Sequence, residues 1–349
     1  MGRIKGSTNK KKSPTAKAIE SSIDNSGETI IMVPEVVIEK KDIKVDPKKL
    51  ERTKLALAEI NKTFGKDTVK LASDEEDKER IPFGVPEIDK LTGGLRCGLF
   101  TVLWGNKSVC KSTLALIVIS QAQKLGKICL YIDLEGTFDK ELAKYYGCDI
   151  DKLLLCPPTR TAEKAMDLMI KLSNDKAIDL VVLDSIQSMC PEGEKETKKG
   201  VDKSMSDETM ALLARKLSQF FRNDASGVYH GKVAMLLIGQ ARKDLGSFIK
   251  LDCLSGGNAL THWACMVVKL FRGSKADAPK YKFHANGKSK EIQVGFSLCA
   301  RLEKRKVSNT APEGAMVQFD FYDSFGFVRP SDEQLQEHFK DWISLESED

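Results

Sequence analysis

GNKSVCKST, residues 105–113, decides how this chain is read. It stands between an apolar run, LFTVLW at 99–104, and an apolar helical pattern, STLALIVIS at 112–120. A loop between a strand and a helix exposes the first backbone amides of that helix, and those amides favour an anion. The pattern G-x-x-x-x-G-K-[ST] uses this geometry to bind phosphate. Gly105 would make the turn out of the strand, and Asn106, Lys107, Ser108, Val109 and Cys110 would form the cradle. Lys111 would reach the terminal phosphates and Ser112 would face Mg²⁺, with Thr113, just past the pattern, as a further candidate nucleotide contact. Cys110 stands where the second glycine belongs, so the strict pattern fails. Taken alone, the stretch is also compatible with an ordinary strand-to-helix turn.

Two downstream segments favour the phosphate reading. DLVVLDS at 179–185 is an apolar run ending in an acid, which places Asp184 at the carboxyl end of a buried strand, where it can hold Mg²⁺. KICLYIDLEG at 127–136 brings Asp133 and Glu135 out at the same sheet edge, where a carboxylate can polarise an attacking water.

The chain of 349 residues is long enough for one large α/β domain with appendages. Its net charge of +5 is unevenly spread: residues 1–17 carry six Lys or Arg and no acid, and residues 331–349 carry seven acids and one Lys. No apolar run reaches the roughly 18 to 20 residues needed to span a bilayer, and MGRIKGSTNKKK lacks the apolar centre of a signal peptide. A soluble, intracellular protein without a membrane partner is expected. The nine cysteines include no C-x-x-C pair, so reduced thiols and no metal site are expected of them.

Residues 1–46 read as a flexible basic arm containing one apolar patch, TIIMVPEVVI. Residues 47–75 read as a helix and linker for subunit packing, with Leu50, Leu55, Leu57, Ile60 and Phe64 at helical spacing and Gly65 as a stop. Strands at 99–104, 128–133, 152–156, 178–184 and 232–239 alternate with helices at 111–125, 139–146, 161–173 and 207–222. Such alternation predicts a mainly parallel sheet covered by helices on both faces. Two long polar intervals, 190–208 and 241–256, each follow a strand and so leave the same edge. SKADAPKYKFHANGKSKEIQVG at 274–295 reads as a polar insertion, and 329–349 as a short acidic tail.

Several separated segments together resemble the RecA family of homologous-recombination ATPases, over roughly residues 47–328. They are INKTFGKDTVKL at 60–71, GVPEIDKLTGGLRCGLFTVLWG at 84–105, QAQKLGKICLYIDLEGTFD at 121–139, MALLARKLSQFFRN at 210–223, LIGQAR at 237–242 and SGGNALTHWA at 255–264. The resemblance implies an α/β fold with a RecA-like P-loop ATPase core, residues 76–328, carrying two DNA-binding loops. It places the catalytic glutamate on Glu135, an adenine contact on Asp139 and a γ-phosphate sensor on Gln240. EKRKVSN at 303–309 matches the stretch from which the next filament subunit inserts two lysines, here Lys304 and Lys306. DNA contacts fall on Met210 and Arg215 after the first loop, and on Arg242, Lys243, Gly246, Phe248, Lys250, Gly256 and Gly257 in the second.

The implied activity is a DNA-dependent ATPase using ATP and Mg²⁺, which forms a helical filament on single-stranded DNA and exchanges strands with double-stranded DNA in recombination and repair. Loading or single-strand-binding proteins are the implied partners, and the cytoplasm of a bacterial cell or infected host the implied location. Two rivals remain: a DNA filament protein that binds ATP with little hydrolysis, and a RecA-like ATPase without strand exchange. The sequence departs from the family at Cys110, a glycine that some phage members also replace, and at Leu142, near where a tyrosine often stacks on adenine.

Overall fold

A computed structural model of the chain describes residues 22–23, 29–30, 46–65, 68–158, 161–192, 210–243, 252–254, 258–285, 288–340 and 343. It divides into two compact units, Met1–Glu76 and Asp77–Asp349. In the first, helix α1 spans Pro47–Phe64. Asp46 caps it by accepting from Lys48 N at 3.0 Å, Pro47 sits at the first turn where its missing N–H costs nothing, and Gly65 ends it at φ 113°. The side chain of Asn61 then bonds the Val69 backbone in both directions, at 2.8 and 3.0 Å.

The second unit is built on a nine-stranded sheet. Its strands are β1 (Phe100–Gly105), β2 (Cys129–Asp133), β3 (Leu153–Cys156), β4 (Leu180–Asp184), β5 (Ala234–Lys243), β6 (Asp252–Leu254), β7 (Met266–Arg272), and, beyond a separate hairpin of β8 (Lys280–Ala285) and β9 (Lys288–Gln293), β10 (Gly295–Arg305) and β11 (Met316–Tyr322). The spatial order is β11, β10, β7, β1, β5, β4, β2, β3, with β6 paired to the end of β5. From β7 to β3 every pair is parallel; β10, β11 and β6 are antiparallel to their neighbours. Every residue of β1, β2 and β4 is buried, as continuous apolar strands covered on both faces must be.

Alternate residues of these strands feed two cores. On one face, Leu103, Tyr131 and Val182 pack with Leu114, Val118 and Ile119 of helix α3 (Lys111–Lys124). On the other, Val102, Ile132 and Val181 pack with Met166 and Met169 of α5 (Ala162–Asn174) and Phe220 and Phe221 of α6 (Met210–Gly231). Phe221 is fully buried and stands edge-on to Phe100 at 4.9 Å. Burying such a ring contributes roughly 2–3 kcal/mol, and the ring pair about 0.5–1.5 kcal/mol more. The remaining helices are α2 (Pro86–Thr92), α4 (Lys140–Tyr145), α7 (Asn258–Trp263) and α8 (Asp332–His338).

The mainly parallel sheet matches the reading of the sequence, but the strand expected at 232–239 runs on to Lys243 and pairs there with β6, inside the 241–256 interval. The helix expected at 207–222 runs on to Gly231. Gly227 lies within that extension, where a Cβ would come 2.2 Å from Asn174 Oδ1 at the end of α5. The stretch 274–295 contains the β8–β9 hairpin, in register Lys280↔Gln293 through Ala285↔Lys288. Its Tyr281 and Ile292 pack against a small core of Val294, Tyr322 and Leu335, and Lys280 pairs with Glu291 at 2.5 Å. Among the described residues no helix is long and apolar enough to cross a membrane.

Candidate functional site

β1 ends at Gly105, and a Cβ there would lie 2.0 Å from the carbonyl oxygen of Leu270 on β7, so only glycine fits between these parallel strands. The chain then turns through Ser108 and Cys110, both left-handed at φ 58° and 59°, and enters α3 at Lys111. Val109 is buried beneath the loop, which anchors it to the core. Lys111 folds back over the loop, its Nζ donating to the carbonyls of Gly105 at 3.1 Å and Asn106 at 2.6 Å. Burial pulls its ammonium below the ordinary lysine range, while Asp184 and Glu135 oppose that shift.

Asp184, at the end of β4, is 4% exposed and accepts from Tyr131 Oη at 2.8 Å. Burial pushes its carboxyl above the usual range, while hydrogen bonds from Ser112 and Tyr131 pull it back. A buried carboxylate beside a serine hydroxyl is a hard-oxygen pair suited to Mg²⁺. Among the described residues no group of three or more His, Cys, Asp or Glu could hold a metal. A cation on Ser112 and Asp184 would therefore complete its shell with phosphate oxygens and water, the usual arrangement for Mg²⁺.

The structure separates the two acids at the end of β2, Asp133 as its last residue and Glu135 two residues on. Asp133 is buried and accepts from the amides of Gly136 and Phe138, each at 2.8 Å, so its carboxylate shapes the turn. Glu135 rides on that turn and is exposed. Its Oε1 accepts from Ser185 Oγ at 2.5 Å and from Gln240 Nε2 at 2.6 Å. Gln240 comes from β5, where it lies in register with Gly105.

Residues 107–113, Glu135, Asp184 and Gln240 line one cavity of about 590 Å³. It opens at the carboxyl ends of the parallel strands, where open α/β sheets place their ligands. Arg272 and Phe296 line it too, although the sequence reading did not single them out. The Arg272 guanidinium lies 3.1 Å from the centre of the Phe296 ring. Arg272 ends β7 two residues beyond the partner of Gly105, a proximity that depends on sheet order and leaves no local pattern. Cys110 lines the cavity too, but it packs against the core, and burial pushes its thiol up to about 12, so it is protonated at neutral pH.

Other predicted positions lie elsewhere. Asp139 does not line the cavity; it caps α4, accepting from the amides of Glu141 and Leu142 at 2.8 and 3.1 Å. Lys304 and Lys306 sit at the end of β10 and just beyond it, away from this chain's own cavity. Lys304 Nζ donates to the carbonyls of Thr261 and His262, and Lys306 Nζ to His262 at 3.3 Å. Burial, then the neighbouring Lys306, lowers the Lys304 ammonium. Arg215 is exposed on α6, Arg242 is exposed near the end of β5, Lys243 closes β5, and Met210 opens α6. Gly246, Phe248, Lys250, Gly256 and Gly257 lie outside the described residues, as does most of the 190–208 interval.

A family model described as the RecA N-terminal domain matches residues 51–305. Protein RecA of Haemophilus ducreyi (strain 35000HP / ATCC 700724) is 31% identical over 291 residues, covering 82% of this chain and 73% of that protein. The match takes in the phosphate loop, both acidic strand ends and Gln240, so the chain belongs to the RecA family of homologous-recombination ATPases.

Proposed function

We propose that this protein is an ATP-dependent recombinase that assembles as a filament on single-stranded DNA and catalyses pairing and strand exchange with double-stranded DNA. The observation that carries this reading is the 2.6 Å hydrogen bond from Gln240 to Glu135. It joins the nucleotide cavity to the strand leading into the second polar interval, the connection a DNA-responsive ATPase requires.

On this reading the amides opening α3 and the Lys111 ammonium bind the phosphates of ATP. Ser112 and Asp184 hold Mg²⁺, which when bound would offset phosphate charge and orient the oxygens. Glu135 orients a water and takes its proton, and Gln240 exchanges its bond to Glu135 for one to the γ phosphate. Lys304 and Lys306 act on the cavity of the neighbouring subunit, which would make turnover depend on assembly. Met210, Arg215, Arg242 and Lys243, with Gly246, Phe248, Lys250, Gly256 and Gly257, contact DNA through cations on phosphates, closely approaching backbone and one apolar wedge. The helix and linker of 47–75 serve subunit packing, flanked by the basic arm 1–46, and the acidic tail 329–349 competes with DNA for basic surface.

The test is steady-state ATP hydrolysis with and without single-stranded DNA, followed by strand exchange between homologous substrates. DNA should stimulate turnover, and Lys111→Ala should abolish ATP-dependent DNA binding. ATP-dependent DNA binding without turnover would point instead to a filament protein that uses ATP only as an assembly switch. Unchanged binding by Lys111→Ala would remove the phosphate loop from the mechanism.

A further inference from the structure

β5 outlasts the strand beside it. Its pairing with β4 ends at Leu183↔Leu237, yet β5 continues to Lys243. Past that point the backbone of Gln240 bonds a side chain. Gln187 lies in the short 3₁₀ turn Ile186–Ser188 that follows β4, and it is half-buried. Gln240 N donates to Gln187 Oε1 at 2.7 Å, and Gln187 Nε2 donates to the Gln240 carbonyl at 3.3 Å. A carboxamide carries the same donor and acceptor as a peptide group, so this side chain replaces one residue of a missing strand.

The same turn holds the other end of the network. Ser185, just before it, donates to Glu135 Oε1, the oxygen that also accepts from the Gln240 side chain. The backbone of Gln240 is thus bonded directly to the segment that runs from Asp184 to the 190–208 interval, and its side chain is linked to that segment through Glu135. The second interval begins at the residue after Gln240, and β5 ends three residues after Gln240, at Lys243.

We propose that Gln187 is a positioning residue that sets Gln240 against Glu135 and ties the feet of the two polar intervals together, so that DNA held by either is felt at one carboxylate. This rests on the reading of the chain as a DNA-stimulated ATPase. Gln187 is not among the residues lining the cavity, and it reaches the cavity through its two bonds to Gln240. Displacing a sensor group by about an ångström is enough to lower turnover roughly a hundredfold.

The experiment compares the full-length chain with Gln187→Met, which keeps the side-chain length without hydrogen bonds, and Gln187→Glu, which keeps the acceptor for Gln240 N–H and loses the donor. ATP turnover is measured against ATP and single-stranded DNA concentration, together with hydrogen exchange at the Gln240 amide. The methionine variant should lose between about ten- and a hundredfold of its DNA-stimulated kcat, with KM for ATP within about threefold of the parent. Its Gln240 amide should exchange about tenfold faster or more, and the glutamate variant should recover part of both losses. A methionine variant that keeps DNA stimulation and amide protection overturns the proposal, because packing alone would then suffice. If the parent shows no DNA stimulation, the DNA-coupled reading fails and the exchange measurement decides the clamp: lost protection in the methionine variant upholds it, and retained protection overturns it.

Discussion

Replacing Glu135 by glutamine tests the proposed chemistry with little disturbance of the structure. Oε1 of Glu135 accepts from Ser185 Oγ at 2.5 Å and Gln240 Nε2 at 2.6 Å. Both partners are donors, so a glutamine carbonyl oxygen in the same place can accept both bonds. Glu135 is exposed, so the new NH₂ group can turn to water and no buried donor is orphaned. What disappears is the basicity of the carboxylate and its attraction for Lys111. General-base assistance is worth about 10²–10⁴ in rate, or roughly 3–5 kcal/mol of barrier at 1.36 kcal/mol per tenfold. In Glu135→Gln, turnover at saturating ATP and single-stranded DNA should therefore fall by about 10²–10⁴. ATP affinity, read by a fluorescent analogue, should stay within about threefold. Turnover within about tenfold of the parent at unchanged affinity would refute the reasoning and require another base.

The conformation of Cys110 supports a stability prediction. At φ 59° and ψ 30° a side chain costs about 1–2 kcal/mol, and glycine adds roughly 0.5–1 kcal/mol of unfolded-state entropy. Cys110→Gly should accordingly be up to about 1 kcal/mol more stable than Cys110→Ala in urea titrations; an alanine variant as stable or more so would show that the left-handed turn is not kept in solution. Asp184 has a folded-state pKa raised by burial, so its favourable contribution is complete below the unfolded carboxylate range and is lost as pH rises through the raised value. Asp184→Asn should gain melting temperature over the parent progressively as pH rises above the unfolded carboxylate range, while losing Mg²⁺-dependent ATP binding, and a difference that shrinks with rising pH would contradict this. Burial pushes the thiols of Cys110 and Cys129 up to about 12 and that of Cys148 up to about 11. Iodoacetamide at neutral pH should label exposed Cys253 well before these three, as mass spectrometry would show; early loss of the Cys110 thiol would mean that the loop opens.

The sequence alone determined the parallel core and the edge at which its chemistry gathers. A strand buried on both faces is a continuous apolar run, so β1, β2 and β4 are visible locally, and Gly105, Lys111, Glu135 and Asp184 follow from where those runs stop. The β8–β9 hairpin also had a local signal, the alternation KYKFHA followed by Asn286 and Gly287, but its lysines made the stretch read as a polar insertion. Only the tertiary structure decided which carboxylate at the end of β2 lines the cavity, because the turn amides claim Asp133 and leave Glu135 to Ser185 and Gln240. It also brought Arg272 and Phe296 to the cavity and Gln187 to Gln240. Those meetings depend on the order and register of strands far apart in sequence. Burial and backbone pairing across the whole sheet set that order, so a single segment carries no trace of it.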